Sequence, residues 1–191
     1  MIQALAGLQA AWLLARGRSE GAALLAPPPH GGPAPAEALA IAARSFWALP
    51  LCLPAFVCLH VIHWLEAGPS ATPGKDFAFD LLGFGVGWLA FAVITHGQAA
   101  RMGRAARWPC FIAVWNWCNV LQYLMLVLAA LPALLGLPDF VAQTAWMVAI
   151  GWALWLEWFA TRVTLAVPPL AAVAVVILDI SIGLLLVTLT G

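Results

Sequence analysis

The chain has 191 residues, of which 64% are hydrophobic and 8% are charged, and its formal net charge is zero at pH 7. Soluble domains carry about 25% charged residues, so a soluble globular fold is excluded because too little polar surface is available to cover it. The zero net charge and the lack of a basic run or an RNA-binding motif give no indication of a nucleic-acid partner.

Residues 1–25 are predicted to form an amphipathic helix that lies on the membrane surface. Arg16 and Arg18 close this segment, and its apolar stretch is shorter than the about 20 residues that a membrane span needs. The apolar residues that recur at helical spacing are Ile2, Leu5, Leu8, Trp12 and Leu13. Residues 26–43 begin with APPPHGGPAPA and are predicted to be a Pro/Gly-rich linker without regular structure.

Residues 44–191 are predicted to form the transmembrane domain. Its five apolar segments lie at about 45–65, 77–95, 110–135, 140–159 and 167–189. The expected fold is therefore all-α, a polytopic membrane protein built as a bundle of five transmembrane helices behind an N-terminal interfacial helix. Pro50 and Pro54 lie in the first span, where each removes a backbone donor, so a kink is expected there.

The basic residues predict the orientation of this bundle. Seven of the eight fall on one side of a five-span protein, and Lys75 is the exception. The seven are Arg16, Arg18, Arg44, Arg101, Arg104, Arg107 and Arg162. Because cytoplasmic loops are enriched in Lys and Arg, we expect a cytoplasmic N-terminus and a periplasmic C-terminus in a bacterial inner membrane.

Two histidines stand at the outer end of the first span. His60 and His63 are three residues apart, so both can lie on one helix face, and Glu66 follows one turn later. Two imidazoles and nearby carboxylates suit a divalent metal ion. The spacing matches no recognised metal motif, so hydrogen bonding at the water interface is preferred, with a metal site and a proton-linked site as alternatives.

Polar side chains inside the third and fifth spans are the other candidates for function. Asn116, Asn119 and Gln122 step by three and predict a polar stripe that either bonds a neighbouring helix or lines a cavity. Asp179 lies in the middle of the most apolar span, where an ionised carboxylate is costly. We expect Asp179 to be protonated or paired, and the amide stripe is its most plausible partner by depth.

The remaining polar and glycine patterns are assigned to packing and anchoring. Glu157 and Arg162, near the inner end of the fourth span, are expected to lie at the headgroups. Gly83 and Gly87 predict a small-xxx-small contact that lets two helices approach closely. No nucleotide-binding or nucleophile-elbow motif occurs, so no cofactor and no catalytic residue is predicted.

Two short segments carry a resemblance to a known family. They are RSFWA at 44–48, which opens the first span, and AVWNW at 113–117 in the third span. With five spans, short loops and a Pro/Gly linker, the chain resembles the Yip family of integral membrane proteins, in particular its uncharacterised alphaproteobacterial members. The resemblance implies a five-helix fold with the N-terminus inside and no known catalytic activity.

Three functions are therefore considered. The first is a non-enzymatic protein that organises the membrane or binds partners, namely the lipid bilayer, other membrane proteins or further copies of itself. The second is a small transporter or channel, which predicts a continuous polar cavity joining Asn119, Gln122 and Asp179 to one face. The third is an intramembrane enzyme or metal-binding protein using His60 and His63, which requires reactive groups that converge.

Overall fold

Helices account for all regular structure in the computed structural model, which describes residues 2–25, 35–68 and 71–190. The helices are α1 (Ile2–Ala15), α2 (Glu20–Ala23), α3 (Pro35–Ser45), α4 (Ala48–Ala67), α5 (Pro73–Arg101), α6 (Trp108–Leu134), α7 (Asp139–Leu165) and α8 (Pro169–Thr190). A short 3-10 turn, Ala105–Arg107, joins α5 to α6. The predicted all-α fold is confirmed.

Five helical segments are long and apolar enough to cross a membrane. They are Ala36–Glu66, Pro73–Arg101, Ala105–Leu134, Asp139–Leu165 and Pro169–Leu189. Each overlaps one predicted span, so the multi-pass architecture is confirmed. Most of these segments are longer than the predicted spans. For example, the 29 residues of α5 rise roughly 43 Å at about 1.5 Å per residue, which exceeds the thickness of about 30 Å of a hydrocarbon core.

The seven arginines of the predicted inner side are all exposed, at or near the ends of helices. Arg162 lies on the last turns of α7, with its guanidinium carbon 5.5 Å from the ring centre of Trp158. This placement agrees with the charge pattern, and the direction in which the bundle crosses the membrane stays a prediction.

The predicted linker is wrong over its second half, because residues 35–43 belong to α3. Pro35 begins this helix, a position where its fixed φ is favourable, and the alanines that follow are strong helix formers. Ala42 and Ser45 are buried where α3 packs against α6. The first half of the predicted linker, including His30, falls outside the described residues.

The predicted disturbance by proline is found at Pro50, as an interruption between α3 and α4. Pro50 lies in the first turn of α4 and has no N–H to bond the carbonyl of Phe46, four residues earlier. Leu49 instead donates to the Phe46 carbonyl at 3.0 Å, an i to i+3 bond. Helix α4 continues through Pro54.

Helix α6 lies at the centre of the bundle. Every residue from 111 to 118 is buried, so this part of the helix has no outward face. The neighbours that enclose it are α1, α3, α4 and α7. A helix that is apolar and covered all round belongs to the interior, so α6 is the element against which the others are positioned.

A buried hydrogen-bond chain fixes α6 to two of its neighbours. The indole nitrogen of Trp88 on α5 donates to Asn116 Oδ1 at 2.6 Å, and Asn116 Nδ2 donates to Ser45 Oγ at 2.7 Å. The Ser45 hydroxyl in turn donates to the Ala42 carbonyl at 2.6 Å. Asn116 is fully buried and both its amide atoms are bonded, so it links α5, α6 and α3.

The N-terminal helix packs on α6 through a small-residue face. A Cβ added to Gly7 would overlap the indole ring of Trp117, so only glycine permits this approach. Ala10 and Leu14 on the same side are fully buried, whereas Trp12 is exposed. The interfacial position of α1 stays a prediction, and the structure adds that one face of α1 is part of the bundle.

We expect Asn116→Ala to lower the free energy of unfolding by about 2 kcal/mol, because it breaks two interhelical hydrogen bonds and leaves the buried Trp88 indole unpaired. Detergent-induced unfolding, followed by circular dichroism, measures the change. Asn119→Ala is the matched control, since the Asn119 amide donates to the Trp115 carbonyl of its own helix. Equal losses for the two variants would contradict the role assigned to Asn116.

We expect Gly7→Leu to release α1 from α6, although leucine is the better helix former. Amide hydrogen exchange of residues 2–15, followed by mass spectrometry, should become at least about tenfold faster, equivalent to about 1.4 kcal/mol of lost docking. Gln9→Leu introduces the same side chain at an exposed position of α1 and should leave the exchange rate unchanged.

Candidate functional site

A cavity of about 490 Å³ lies between α4, α5, α6 and α8. This volume is within the range of about 300–1,000 Å³ that small-molecule sites occupy. Its walls are mainly apolar and aromatic. The polar side chains with titratable or amide groups that line it are His60, Asp80, Asn119, Tyr123 and Asp179. No lysine or arginine is among its lining residues. When His60 is neutral, every formal charge on the lining side chains is therefore negative.

Glycines on α5 and α8 leave the room for this cavity. Gly83, Gly87 and Gly183 all line it, and a Cβ added to Gly183 would meet nothing within 4 Å. A Cβ on Gly87 would lie 3.0 Å from Cδ1 of Leu186, so α5 and α8 approach closely there. The predicted pair of small residues therefore lies where α5 passes α8 beside the cavity.

The partner of Asp179 is a second carboxyl group, Glu157 of α7, and not the predicted amide stripe. The two side chains are close enough for electrostatic and hydrogen-bonding interaction, and Glu157 is only 4% exposed. Glu157 was expected at the headgroups, and the structure adds that its side chain is buried inside the bundle, two turns before α7 ends at Leu165. Since α7 and α8 are consecutive and joined by a short turn, the two carboxyls reach similar depth.

Two buried polar atoms at this site, His60 Nε2 and Glu157 Oε1, have no hydrogen-bond partner among the described residues. The Trp115 indole lies within hydrogen-bonding reach of the Glu157 carboxyl and also lines the cavity. An unpaired polar group away from water is costly, and two facing carboxylates repel each other. One proton shared by the carboxyls, or one bound cation, relieves that repulsion.

His60 and Asp80 form a second polar pair in the same cavity. His60 Nδ1 lies 3.2 Å from Asp80 Oδ2, and the two side chains are 10% and 44% exposed. The imidazole packs edge-on against Trp64 and Phe77, with ring centres 4.5 Å and 5.0 Å away. His60 and Asp179 line the same cavity.

His63 and Glu66 face a different cavity, of about 450 Å³, together with Gln143 of α7. A step of three residues turns a helix by about 300°, so His60 and His63 point about 60° apart. That angle is enough here for the two imidazoles to line different cavities. The described residues contain no group of three His, Cys, Asp or Glu side chains close enough to hold a metal ion.

The three residues of the amide stripe of α6 do not share one role, because two of them bond neighbouring helices and one lines the cavity. Gln122 Nε2 donates to the Ala153 carbonyl of α7 at 2.8 Å, and Asn116 bonds α5 and α3 as described. Asn119, between them, lines the cavity. Each step of three residues rotates the side chain by about 60°, so three such positions spread over about 120° and meet different neighbours.

Comparisons of the chain with protein-family models, curated proteins and solved structures found no match. The likeness to the Yip family therefore stays a resemblance of two sequence segments and a helix count. The fold and the site define a multi-pass helical membrane protein with an acidic, aromatic cavity between its helices.

We expect Asp179→Asn and Glu157→Gln each to leave the free energy of unfolding within about 1 kcal/mol of the unmodified protein, or to raise it. Glu157 is buried and Asp179 faces it, so removing either carboxyl removes a repulsion, and replacing buried charge by neutral groups is often neutral or stabilising. The unfolding titration used for Asn116→Ala measures this. A loss above about 2 kcal/mol for either variant would show that the carboxyl pair is structural.

Proposed function

We propose that the protein is a small membrane transporter that exchanges a cation for a proton at the Glu157–Asp179 carboxyl pair. The observation that carries the proposal is the placement of this pair beside a cavity of about 490 Å³ that has no lysine or arginine in its lining. Of the functions considered from the sequence, this placement favours the transporter.

The coupling follows from charge. Two carboxyls in a medium of low dielectric favour one added positive charge, which either a proton or a cation supplies. Because the two compete for the same pair, the arrival of one releases the other. A carboxyl pair that is fully ionised and holds neither ligand is the least favourable state. The site is therefore expected to open to each side of the membrane with either a proton or a cation bound.

A polar route supports the proposal. Asn119 and Tyr123 line the cavity on the side of α6, and the His60–Asp80 pair stands where α4 and α5 meet it. Asp80 is partly exposed, so this pair connects the cavity to the outside of the bundle. With the orientation predicted from the arginines, that end faces the periplasm of a bacterial inner membrane.

Partner binding is the second candidate function. The cavity that contains His63 is also lined by small residues of α6 and α7, which permit the close approach of another helix. They are Ala129, Ala130, Ala133 and Ala142. A second copy of the chain or another membrane protein would pack there, in keeping with the Yip-like resemblance.

The transport proposal is tested with the full chain in liposomes that hold a pH-sensitive dye and an acidic interior. Potassium, sodium, choline or phenethylamine is added outside, one at a time. We expect at least one of them to raise the internal pH faster in protein-containing than in protein-free liposomes, which give the background rate because neutral phenethylamine also crosses the lipid and takes up protons inside. The rate should fall to that of protein-free liposomes in Asp179→Asn, since only the ionisable pair exchanges a proton.

Asp139→Asn is the control, because Asp139 is an exposed aspartate in the first turn of α7 and does not line the cavity. It should transport at the unmodified rate. If none of the four cations moves protons, or if Asp179→Asn transports as well as the unmodified chain, the proposed exchange is wrong.

A further inference from the structure

Aromatic rings form a continuous wall of the cavity. The ring centres of Phe56 and Phe84 are 4.9 Å apart, and those of Phe84 and Trp88 are 5.4 Å apart. Trp88 continues to Trp115 at 5.3 Å, and Tyr123 meets Phe84 at 5.6 Å. All five side chains line the same cavity as Asp179, so an acid faces an aromatic surface.

This combination favours an organic cation over a metal ion. Aromatic faces attract ammonium groups, and they also accept an apolar body. A hard metal ion needs about six oxygen ligands at short distance. The described residues hold no cluster of three metal-binding side chains, whereas an ammonium ion is satisfied by one carboxyl and the rings around it.

A buried atom without a partner points to a polar ligand and not to a lipid tail alone. The His60 side chain is 10% exposed, and its Nε2 has no hydrogen-bond partner among the described residues. His60 lines the cavity, so a ligand with a hydrogen-bonding group would satisfy this nitrogen, which an apolar occupant would leave unpaired.

We propose that the cavity binds an amphipathic organic ammonium ion, with its nitrogen at Asp179 and its apolar body against the aromatic wall. This inference rests on the proposed exchange function and names the cation. Binding forms N–H···O bonds to the carboxyl pair and releases the shared proton to water, so charge balances. The titratable groups that face the pair or the cavity are His60 on α4, Asp80 on α5, Cys118 and Tyr123 on α6, Glu157 on α7 and Asp179 on α8.

The ammonium group has two possible sources, a free amine or the headgroup of an ethanolamine lipid. Val187 of α8 lines the cavity and is 67% exposed on the outside of the bundle, so the cavity borders the membrane. Both sources present the same chemistry to Asp179, and the experiment below separates them.

Binding is measured by tryptophan fluorescence on the full chain in detergent, with three probes of similar size. Phenethylamine is a cation, phenethyl alcohol is neutral and hydrocinnamate is an anion. We expect phenethylamine to bind saturably, phenethyl alcohol to bind at least about tenfold more weakly, and hydrocinnamate not to bind. Tenfold corresponds to about 1.4 kcal/mol, a modest share of a buried charge interaction.

Variants assign the binding to the cavity. Asp179→Asn should lower the affinity for phenethylamine at least about tenfold and leave the affinity for phenethyl alcohol unchanged, because only the charge contact is lost. Gly183→Leu should abolish both, since it fills the open space beside Gly183. Asp139→Asn should bind both probes as the unmodified chain does. Should Gly183→Leu not fold, the probe series with Asp179→Asn decides alone.

The outcomes are separable. Equal affinity for the amine and the alcohol, or binding of hydrocinnamate, overturns the inference, as does unchanged amine affinity in Asp179→Asn. Sodium or potassium exchange without amine binding also overturns it and leaves the proposed function standing. Amine binding without any proton exchange supports the ammonium site and overturns the transport function.

Lipid nanodiscs identify the source of the ammonium group. If phosphatidylethanolamine weakens phenethylamine binding relative to phosphatidylglycerol alone, the lipid headgroup competes for the site. If affinity is the same in both, the ligand is a free amine. Each result supports the ammonium site, and failure of phenethylamine to bind in either lipid contradicts it.

Discussion

The buried amide of Asn116 is the interaction on which the arrangement of the bundle depends. Inside a membrane, apolar side chains gain little by leaving lipid for protein, so packing and interhelical hydrogen bonds decide which helix faces meet. Asn116 bonds α5 through Trp88 and α3 through Ser45, and thereby sets the rotation of three helices. Trp88 is also part of the aromatic wall, so the structural link and the cavity share a side chain.

The second constraint is the separation of charge along the membrane normal. The seven arginines are exposed near the ends of helices, while Glu157 and Asp179 meet inside the bundle. Among the described residues, no lysine or arginine lines the cavity to neutralise them. The carboxyl pair is therefore relieved by a proton or by a bound cation, and the proposed exchange rests on that choice.

Helix α4 divides the outer half of the molecule into two surfaces. Its His60 side faces the acidic cavity, and its His63 side faces the cavity lined by small residues of α6 and α7. The proposed ligand exchange and the proposed partner binding would therefore use different faces of α4. The Yip-like resemblance bears on the second face, whereas the chemistry of the first is independent of any relative.

Composition and hydropathy alone determined the all-α membrane class and the five candidate spans, and they singled out Asp179 and the α6 amides as polar groups within those spans. These follow because a bilayer sets both the length of an apolar helix and the cost of a polar group within it. Only the tertiary structure decided that Asp179 meets Glu157, that His60 meets Asp80 and not His63, and that residues 35–43 are helical. Periodicity places a residue on a face of its helix, but neither the rotation of that helix nor the identity of its neighbour is local information.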